Sequence, residues 1–439
     1  MTKNIHNMKK FYNILVFPGG TEIGMEIHKS LVSCKNVCLF SASNSMVNHA
    51  SYIYKNHYVI KDINTEGWVN ELNNIIKKEK IDFVFPAHAF VIDALAKNRD
   101  AIKARLMLCS NEVLLQTRSK RRTYEMFKEV IPVPTIFSTH EDISHYPVFV
   151  KPDNFYGGQG TEIINNKEYL KDFFNNGKEY IISEYLEGDE YTIDCFSDKN
   201  GEIAFCEGRT RQRIRMGTSM HSEKVSEEMD EYFLNIAKTI TDKLKIIGPW
   251  FFQMKKDKDD NLKLLEIEPR IAGTMAFHRV KGINFPLLFL YTLLGYDIDI
   301  LTNNFEYQID RALVNRYCYN LEYDSVYIDL DDTIIIHNRL NLDAIKFIYQ
   351  CINSNKKIVL LSKSLQTDKN AYLTKWKIEN LFDKFIWLKE EESKADFIAV
   401  NDNPIFIDDS FSQRKDVSEK LNIPTFDPSM IEILLDERA

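Results

Sequence analysis

Short apolar runs bounded by glycine, proline and polar clusters alternate along this 439-residue chain with stretches of helical apolar spacing. Such alternation predicts βα units around a parallel sheet. The first run, NILVFP at 13–18, is followed by Gly19, Gly20 and Gly24 in GGTEIGMEIHKSL, which then takes helical spacing. Glycines at a strand-to-helix turn let the backbone approach a neighbour, or an anion at a helix amino terminus. Further strands are predicted near NVCLFSA and DFVFPAH, the latter ending in His88 before a helix from about Val91. Strand ends line crevices, so His88 is a candidate substrate residue; a loop histidine with local partners is an equal reading.

The middle third changes character. TRSKRRTYEMFKEVIPVPT places Lys120 at the start of a helix ending before Pro132, and YPVFVKPDNFYGGQGTEII is a strand carrying Lys151 into a loop with Gly157, Gly158 and Gly160. Backbone NH groups of such a loop can fold over phosphates, although a surface hairpin also accommodates the glycines. YIISEYLEGDEYTIDCF reads as strand, turn, strand, with Glu184, Leu186 and Glu190 around Gly188. In PWFFQMKKDKDDNLKLLEIEPRIAGT a hairpin returns with Glu266, Glu268 and Arg270 at alternate positions, hence on one face. Adjacent glutamates repel unless a cation lies between them. EGRTRQRIRMGTSMHSEK carries Arg209, Arg211, Arg213 and Arg215. On one strand the four guanidiniums align, which suits an anionic acceptor or acyl phosphate; an exposed basic edge strand is the plainer alternative.

These segments, over about residues 10 to 318, resemble the ATP-grasp superfamily, in particular its carbamoyl-phosphate-synthase-like branch. The resemblance implies ATP and Mg²⁺, with Mn²⁺ as an alternative, and assigns roles by position. Lys120 and Lys151 contact the phosphates and the adenine side. Gly157, Gly158 and Gly160 cover the triphosphate, Glu184 to Leu186 pair with the adenine edge, and Glu190 takes the ribose hydroxyls. Gln253, Glu266 and Glu268 ligate magnesium, and Arg270 steadies the transferred phosphoryl group. The family's E-x-N-P-R usually supplies Asn where this chain has Glu268, an added carboxylate that still suits Mg²⁺. His88, Arg213 and Arg215 are candidate substrate-binding residues.

The last quarter repeats the strand-end theme. VYIDLDDTIII at 326–336 delivers Asp329, Asp331 and Thr333 at the end of an apolar strand; KIVLLSKS follows with Ser362, then Lys394 in EESKADF, then FIDDS with Asp408 and Asp409. An acidic turn would explain the first alone, but several strand ends of one sheet share a crevice. In this order the four motifs resemble the haloacid-dehalogenase-like (HAD) phosphohydrolases. That resemblance implies Asp329 as nucleophile, Asp331 as general acid and base, Ser362 and Lys394 on the phosphoryl oxygens, and Asp408 with Asp329 on Mg²⁺; Lys389 is a weaker candidate for the lysine. The intervals 334–361 and 363–393 are each long enough for about one βα crossover, leaving no room for a folded cap.

The expected fold is therefore α/β and α+β multidomain: an amino-terminal pre-ATP-grasp βα domain over 1–115, an ATP-grasp domain over 116–320, and a Rossmann-like HAD domain without a cap over 321–439. At 44% hydrophobic and 27% charged residues the composition is that of globular domains, and the formal net charge of -8 argues against nonspecific nucleic-acid binding. Seven scattered cysteines, a polar amino terminus and no apolar run long enough for a bilayer point to a reduced cytoplasm and no membrane partner. Expected partners are a small-molecule carboxylate and an amine, one of them phosphorylated. The combination implies ATP-dependent ligation with a phosphatase acting on a substrate or product, as in surface-polysaccharide decoration. A ligase with a non-catalytic regulatory HAD domain and an ATP-grasp kinase are the alternatives.

Overall fold

β1 (Tyr12–Phe17), β2 (Val37–Ser43), β3 (His57–Val59), β4 (Phe83–Pro86) and β5 (Arg105–Leu106) pair in parallel in the order β3-β2-β1-β4-β5. Both faces are covered, which is why these strands read as continuous apolar runs. Ile14 and Val16 enter one core, Leu15 and Phe17 the other. The glycines after β1 serve packing: a Cβ on Gly19 would lie 2.5 Å from Cβ of Ser41, and one on Gly24 2.6 Å from the Gly19 carbonyl. Thr21 caps the helix Glu22–Leu31 by accepting from the Gly24 NH at 3.0 Å. In this computed structural model the described residues are 11–139, 141–154, 160–170, 180–215, 217–303, 305–317, 319–363 and 368–438. They form two compact units, Met1–Leu313 and Val314–Ala439. The first holds both the amino-terminal βα region and the region with Lys120, Lys151, Glu266 and Arg270.

After the helices Asn111–Arg118 and Lys120–Phe127 come β6 (Val148–Pro152), β7 (Glu162–Ile164) and β8 (Tyr180–Glu184), an antiparallel sheet in the order β7-β6-β8. β9 (Glu190–Ser197), β10 (Ile203–Thr210), β11 (Gln212–Arg215), β12 (Thr218–Glu223), β13 (Gly248–Lys256), β14 (Leu262–Glu268) and β15 (Gln308–Asp310) follow. They sort into β10-β9-β13-β14 and the smaller β11-β12-β15. The helix Glu227–Lys243, capped by Ser226, buries Phe233, Ile236, Ala237 and Ile240 against Trp250, Phe252 and Met254 of β13. Gly208 permits this, since a Cβ there would meet the Phe233 ring at 2.7 Å. The apolar run at 285–296 forms the helix Phe285–Leu293, packed beside the amino-terminal core.

In the second unit β16 (Ser325–Ile328) is followed by a hairpin of β17 (Ile335–Ile336) and β18 (Arg339–Leu340), then β19 (Lys357–Ser362), β20 (Lys384–Trp387), β21 (Pro404–Ile407) and β22 (Thr425–Phe426). The five longer-range strands pair in parallel as β20-β19-β16-β21-β22. As in the amino-terminal sheet, the first strand is central. Between β16 and β19 lie only the hairpin and the helix Leu342–Asn353. Between β19 and Lys394 the described residues hold one helix, Lys369–Trp376, and β20.

Candidate functional site

In the first unit, two lysines are brought together by one carboxylate. Ser119 caps the helix Lys120–Phe127 and donates to Asp153 Oδ2 at 2.7 Å, while Asp153 Oδ1 accepts from the Arg121 NH at 2.9 Å. This fastens the helix start to the end of β6, so Lys120 and Lys151 line the same cavity of about 730 Å³. Lys151 Nζ donates to the Tyr124 hydroxyl at 2.7 Å, and that hydroxyl donates to the Leu265 carbonyl at 2.8 Å. Burial lowers the Lys151 pKa to about 8, against the pull of Glu266, Asp153 and Glu190. Lys120 Nζ lies 3.7 Å from Glu266 Oε2.

Glu266 faces Gln253 across the β13–β14 register. In the orientation that satisfies its neighbours, the Gln253 amide donates to Glu266 Oε1 at 3.1 Å and its oxygen accepts from Arg211 Nη1 at 2.9 Å. Enclosure raises the Glu266 pKa, but Lys120, Arg270, Lys151 and Arg211 together outweigh it and hold the carboxyl below its ordinary value. Arg211 Nε pairs with Glu190 at 2.6 Å, and Arg270 lies over the Phe251 ring at 5.0 Å. Arg209, only 1% exposed, lines the wall with its Nε on Asp194 at 2.7 Å and Nη1 on Ser222 at 3.3 Å. His88 opens onto the cavity as the cap of the helix Ala89–Lys97; partial enclosure, then the charge of Arg270, lower its pKa.

Of the residues the sequence singles out, the cavity thus gathers His88, Lys120, Lys151, Glu190, Gln253, Glu266 and Arg270. Others stand elsewhere. Glu268 does not line this cavity: it is buried and takes Arg270 Nε at 2.9 Å, and burial, opposed by Arg270, raises its pKa. Glu184 accepts from the Thr135 NH at 2.7 Å and from Lys263 Nζ at 2.6 Å, and Leu186 is buried. Gly157 and Gly158 lie outside the described residues; Gly160 has φ +72 and sits against Pro152.

The alignment of four arginines expected from alternate spacing is corrected. β10 ends at Thr210, and β11 joins a different sheet, with Arg213 at φ +45. Arg209 and Arg211 therefore face the cavity, whereas Arg213 is exposed and donates to Asp310 at 2.7 Å, and Arg215 is exposed outside it. Tyr124 and Asp153 were not singled out from the sequence. Tyr124 stands four residues after Lys120, on the same helix face, and that spacing was the available signal.

In the second unit the parallel register brings the carboxyl ends of β16, β19 and β21 level, placing Asp329, Ser362 and Asp408 at one edge. Lys394 Nζ bridges the two carboxylates, 2.7 Å from Asp329 Oδ1 and 2.5 Å from Asp408 Oδ2. Burial, together with Asp408, raises the Asp329 pKa despite this lysine. Thr333 is fully buried and accepts from the Asp409 NH at 3.0 Å, tying the turn after β16 to the acidic pair. Asp331 is half-buried, and Ser362 is buried at the end of β19. Carboxylate oxygens of Asp329, Asp408 and Asp409 lie within 4.8 Å of one another. Three hard oxygen donors suit Mg²⁺ or Mn²⁺ rather than a thiolate- or imidazole-seeking metal. Asp409 adds a donor to the two expected.

Residues 176–313 match the family model described as "ATP-grasp in the biosynthetic pathway with Ter operon". Among solved structures, the chain is similar to the biotin carboxylase domain of 2-oxoglutarate carboxylase from Hydrogenobacter thermophilus, in complex with MgADP, ADP and bicarbonate. There the identity is 15% and the TM-score 0.57, over 66% of this chain and 71% of the other. It is also similar to N5-carboxyaminoimidazole synthetase from Staphylococcus aureus complexed with ADP, at 17% identity and TM-score 0.55, over 68% of this chain and 83% of that one. The chain contains an ATP-grasp fold. Among the described residues no helix is long and apolar enough to cross a membrane.

Proposed function

We propose that the first unit is an ATP-dependent, ADP-forming carboxylate–amine ligase, and that the second is a Mg²⁺-dependent phosphatase acting on a phosphorylated substrate or product of that ligation. The observation that carries the first half is the enclosure of Glu266 by Lys120, Lys151, Arg211 and Arg270 in one cavity. A triphosphate needs this mixture of cationic side chains and an oxygen ligand set, here Glu266 and Gln253, with Glu268 beside them. The solved relatives that hold ADP support the reading.

A substrate carboxylate oxygen attacks the γ-phosphorus of ATP, the bond to the β-phosphate oxygen breaks, and ADP leaves. An amine then attacks the acyl carbon, loses a proton, and expels inorganic phosphate to leave an amide. Glu266 and Gln253 would hold magnesium, which would supply neutralising charge to the phosphates. Lys120, Lys151 and Arg270 supply fixed positive charge where negative charge develops. His88, its pKa lowered, lines the cavity and would take the proton the amine gives up.

In the second unit a carboxylate oxygen of Asp329 attacks phosphorus and the ester bond breaks, with Asp331 giving its proton to the leaving oxygen. Asp331 then takes a proton from water, whose oxygen displaces Asp329 and releases phosphate. Magnesium held by Asp329, Asp408 and Asp409 would offset the repulsion between carboxylates and phosphate. Lys394 fixes Asp329 by donating from Nζ to its Oδ1.

A screen of carboxylates and amines for ADP release, followed by mass measurement of the product, tests the ligase. Glu266→Ala should abolish substrate-dependent ADP formation in the soluble, folded protein; turnover near wild type would remove the assignment. ADP release without any amine would instead favour a kinase. Hydrolysis of p-nitrophenyl phosphate tests the second unit, and a protein that binds phosphate and Mg²⁺ without turnover would make it a regulatory module.

A further inference from the structure

The amino-terminal sheet reverses the direction of its connections beside its central strand: β2 flanks β1 on one side and β4 on the other. Such a switch point leaves a crevice outside the carboxyl ends of the strands. Here it is a hollow of about 700 Å³, within the size range of small-molecule sites. Phe17, Pro18 and Ile63 contribute apolar surface, and the helix Ala89–Lys97 turns Phe90, Ala94 and Lys97 toward it. These three fall at i, i+4 and i+7, one helix face. His88 and Phe90 line both this crevice and the cavity of the ligase chemistry, so the two hollows meet there. The ligation step as derived uses nothing beyond His88.

The polar lining of the crevice mixes the carboxylates of Asp62 and Asp93 with donors on Lys97, Asn98 and Arg118. Asp62 is fixed by Asn44 Nδ2 at 2.8 Å, by the Asn64 NH at 2.9 Å and by Asn64 Nδ2 at 2.9 Å. These bonds, that of the Asn64 NH foremost, lower its pKa and keep it ionised. Asp93 is paired with Arg118. A carboxylate has about four lone-pair sites, so Asp62 keeps acceptor capacity beyond these three bonds. A phosphate would face both carboxylates, and no cradle exists for it: the space beside Gly19 and Gly20 is filled by Ser41 and Asn48. Lys97 and Arg118, both in the lining, balance the two carboxylates in formal charge. Acceptors above apolar and aromatic surface fit the hydroxyls and the C–H face of an uncharged or weakly charged polyol.

We propose that this crevice binds a sugar-like, polyhydroxylated part of the acceptor, remote from its reacting group, which enters the ligase cavity past His88 and Phe90. The proposal rests on the ligase reading for the word acceptor, and the crevice is tested separately from it. Saturation-transfer NMR on the full chain would use glucose, galactose, mannose, N-acetylglucosamine, glucuronic acid and galacturonic acid, with leucine and phosphoserine as controls. At least one sugar should receive saturation in the wild type, and neither control should. Asp62→Ala removes a charged acceptor and Ala94→Trp fills the space; each should weaken sugar binding about tenfold while MgADP affinity stays unchanged. Asp62 is half-buried and outside any helix or strand, so its variant keeps the test readable if the tryptophan is not accommodated. No saturation of any sugar, or equal saturation in wild type and Asp62→Ala, would overturn the proposal. Loss of MgADP binding in the wild type with the sugar pattern intact would sink the ligase reading alone.

Discussion

Lys151→Met should make the nucleotide-free protein more stable and the nucleotide-bound one harder to form. Lys151 is 7% exposed, and burial holds its pKa at about 8 against 10.5 for the free side chain. A depression of that size corresponds to about 3 kcal/mol by which folding disfavours the charged form. Below pH 8 the lysine is charged in both folded and unfolded chains, so the whole burden is present; it shrinks as pH rises from 8 toward 10.5. Methionine is of similar length and carries no charge. The Tyr124 hydroxyl keeps its donor bond to Leu265 and loses only the bond it accepts, about 1 kcal/mol. The net expectation is a gain of about 1–2 kcal/mol at pH 7. Against that, a charge-assisted hydrogen bond to phosphate is worth about 1.5–3 kcal/mol, so MgADP affinity should fall about 10- to 100-fold. Thermal melts at pH 7 and pH 10 and calorimetric titration with MgADP read both effects. The variant should melt higher at pH 7, with the advantage reduced at pH 10. A variant that melts lower at pH 7, or binds MgADP as the wild type does, refutes the reasoning.

Asp329→Asn should eliminate p-nitrophenyl phosphate hydrolysis while substrate-dependent ADP release persists; loss of both would show the two activities to be coupled. Lys394→Met leaves Asp329 and Asp408 facing each other without their cation, and urea unfolding of the second unit should reveal a loss of about 3–5 kcal/mol, partly restored by Mg²⁺. Gly248→Ala should lower the melting temperature of the first unit, because the position has φ +91 and a Cβ would meet the Phe289 ring at 2.4 Å; an unchanged melt would contradict that packing.

The second site was legible because a parallel sheet aligns strand ends. Once Asp329, Ser362 and Asp408 each terminate an apolar run, register alone brings them to one edge. Alternation along a strand was a weaker guide. It puts Glu266 and Glu268 on one face, but Glu268 is engaged by Arg270 Nε and only Glu266 lines the cavity. It also fails for the arginines, because nothing in RTRQRIR marks the passage from one sheet to another at Arg211. The Ser119–Asp153–Arg121 clasp joins residues more than thirty apart, and periodicity carries no information about such a partner.

Placing the first strand of each parallel sheet at its centre has a consequence for synthesis on the ribosome. β1 gains β2 early, but its other neighbour arrives late: Ile14 pairs with Phe83, 69 positions on. In the second unit Val326 waits 79 positions for Ile405. At ordinary elongation rates those intervals last about 3–16 s. Through that time each nascent central strand has one edge of unpaired NH and carbonyl groups, the period in which a chaperone has most to shield and a premature pause does most harm.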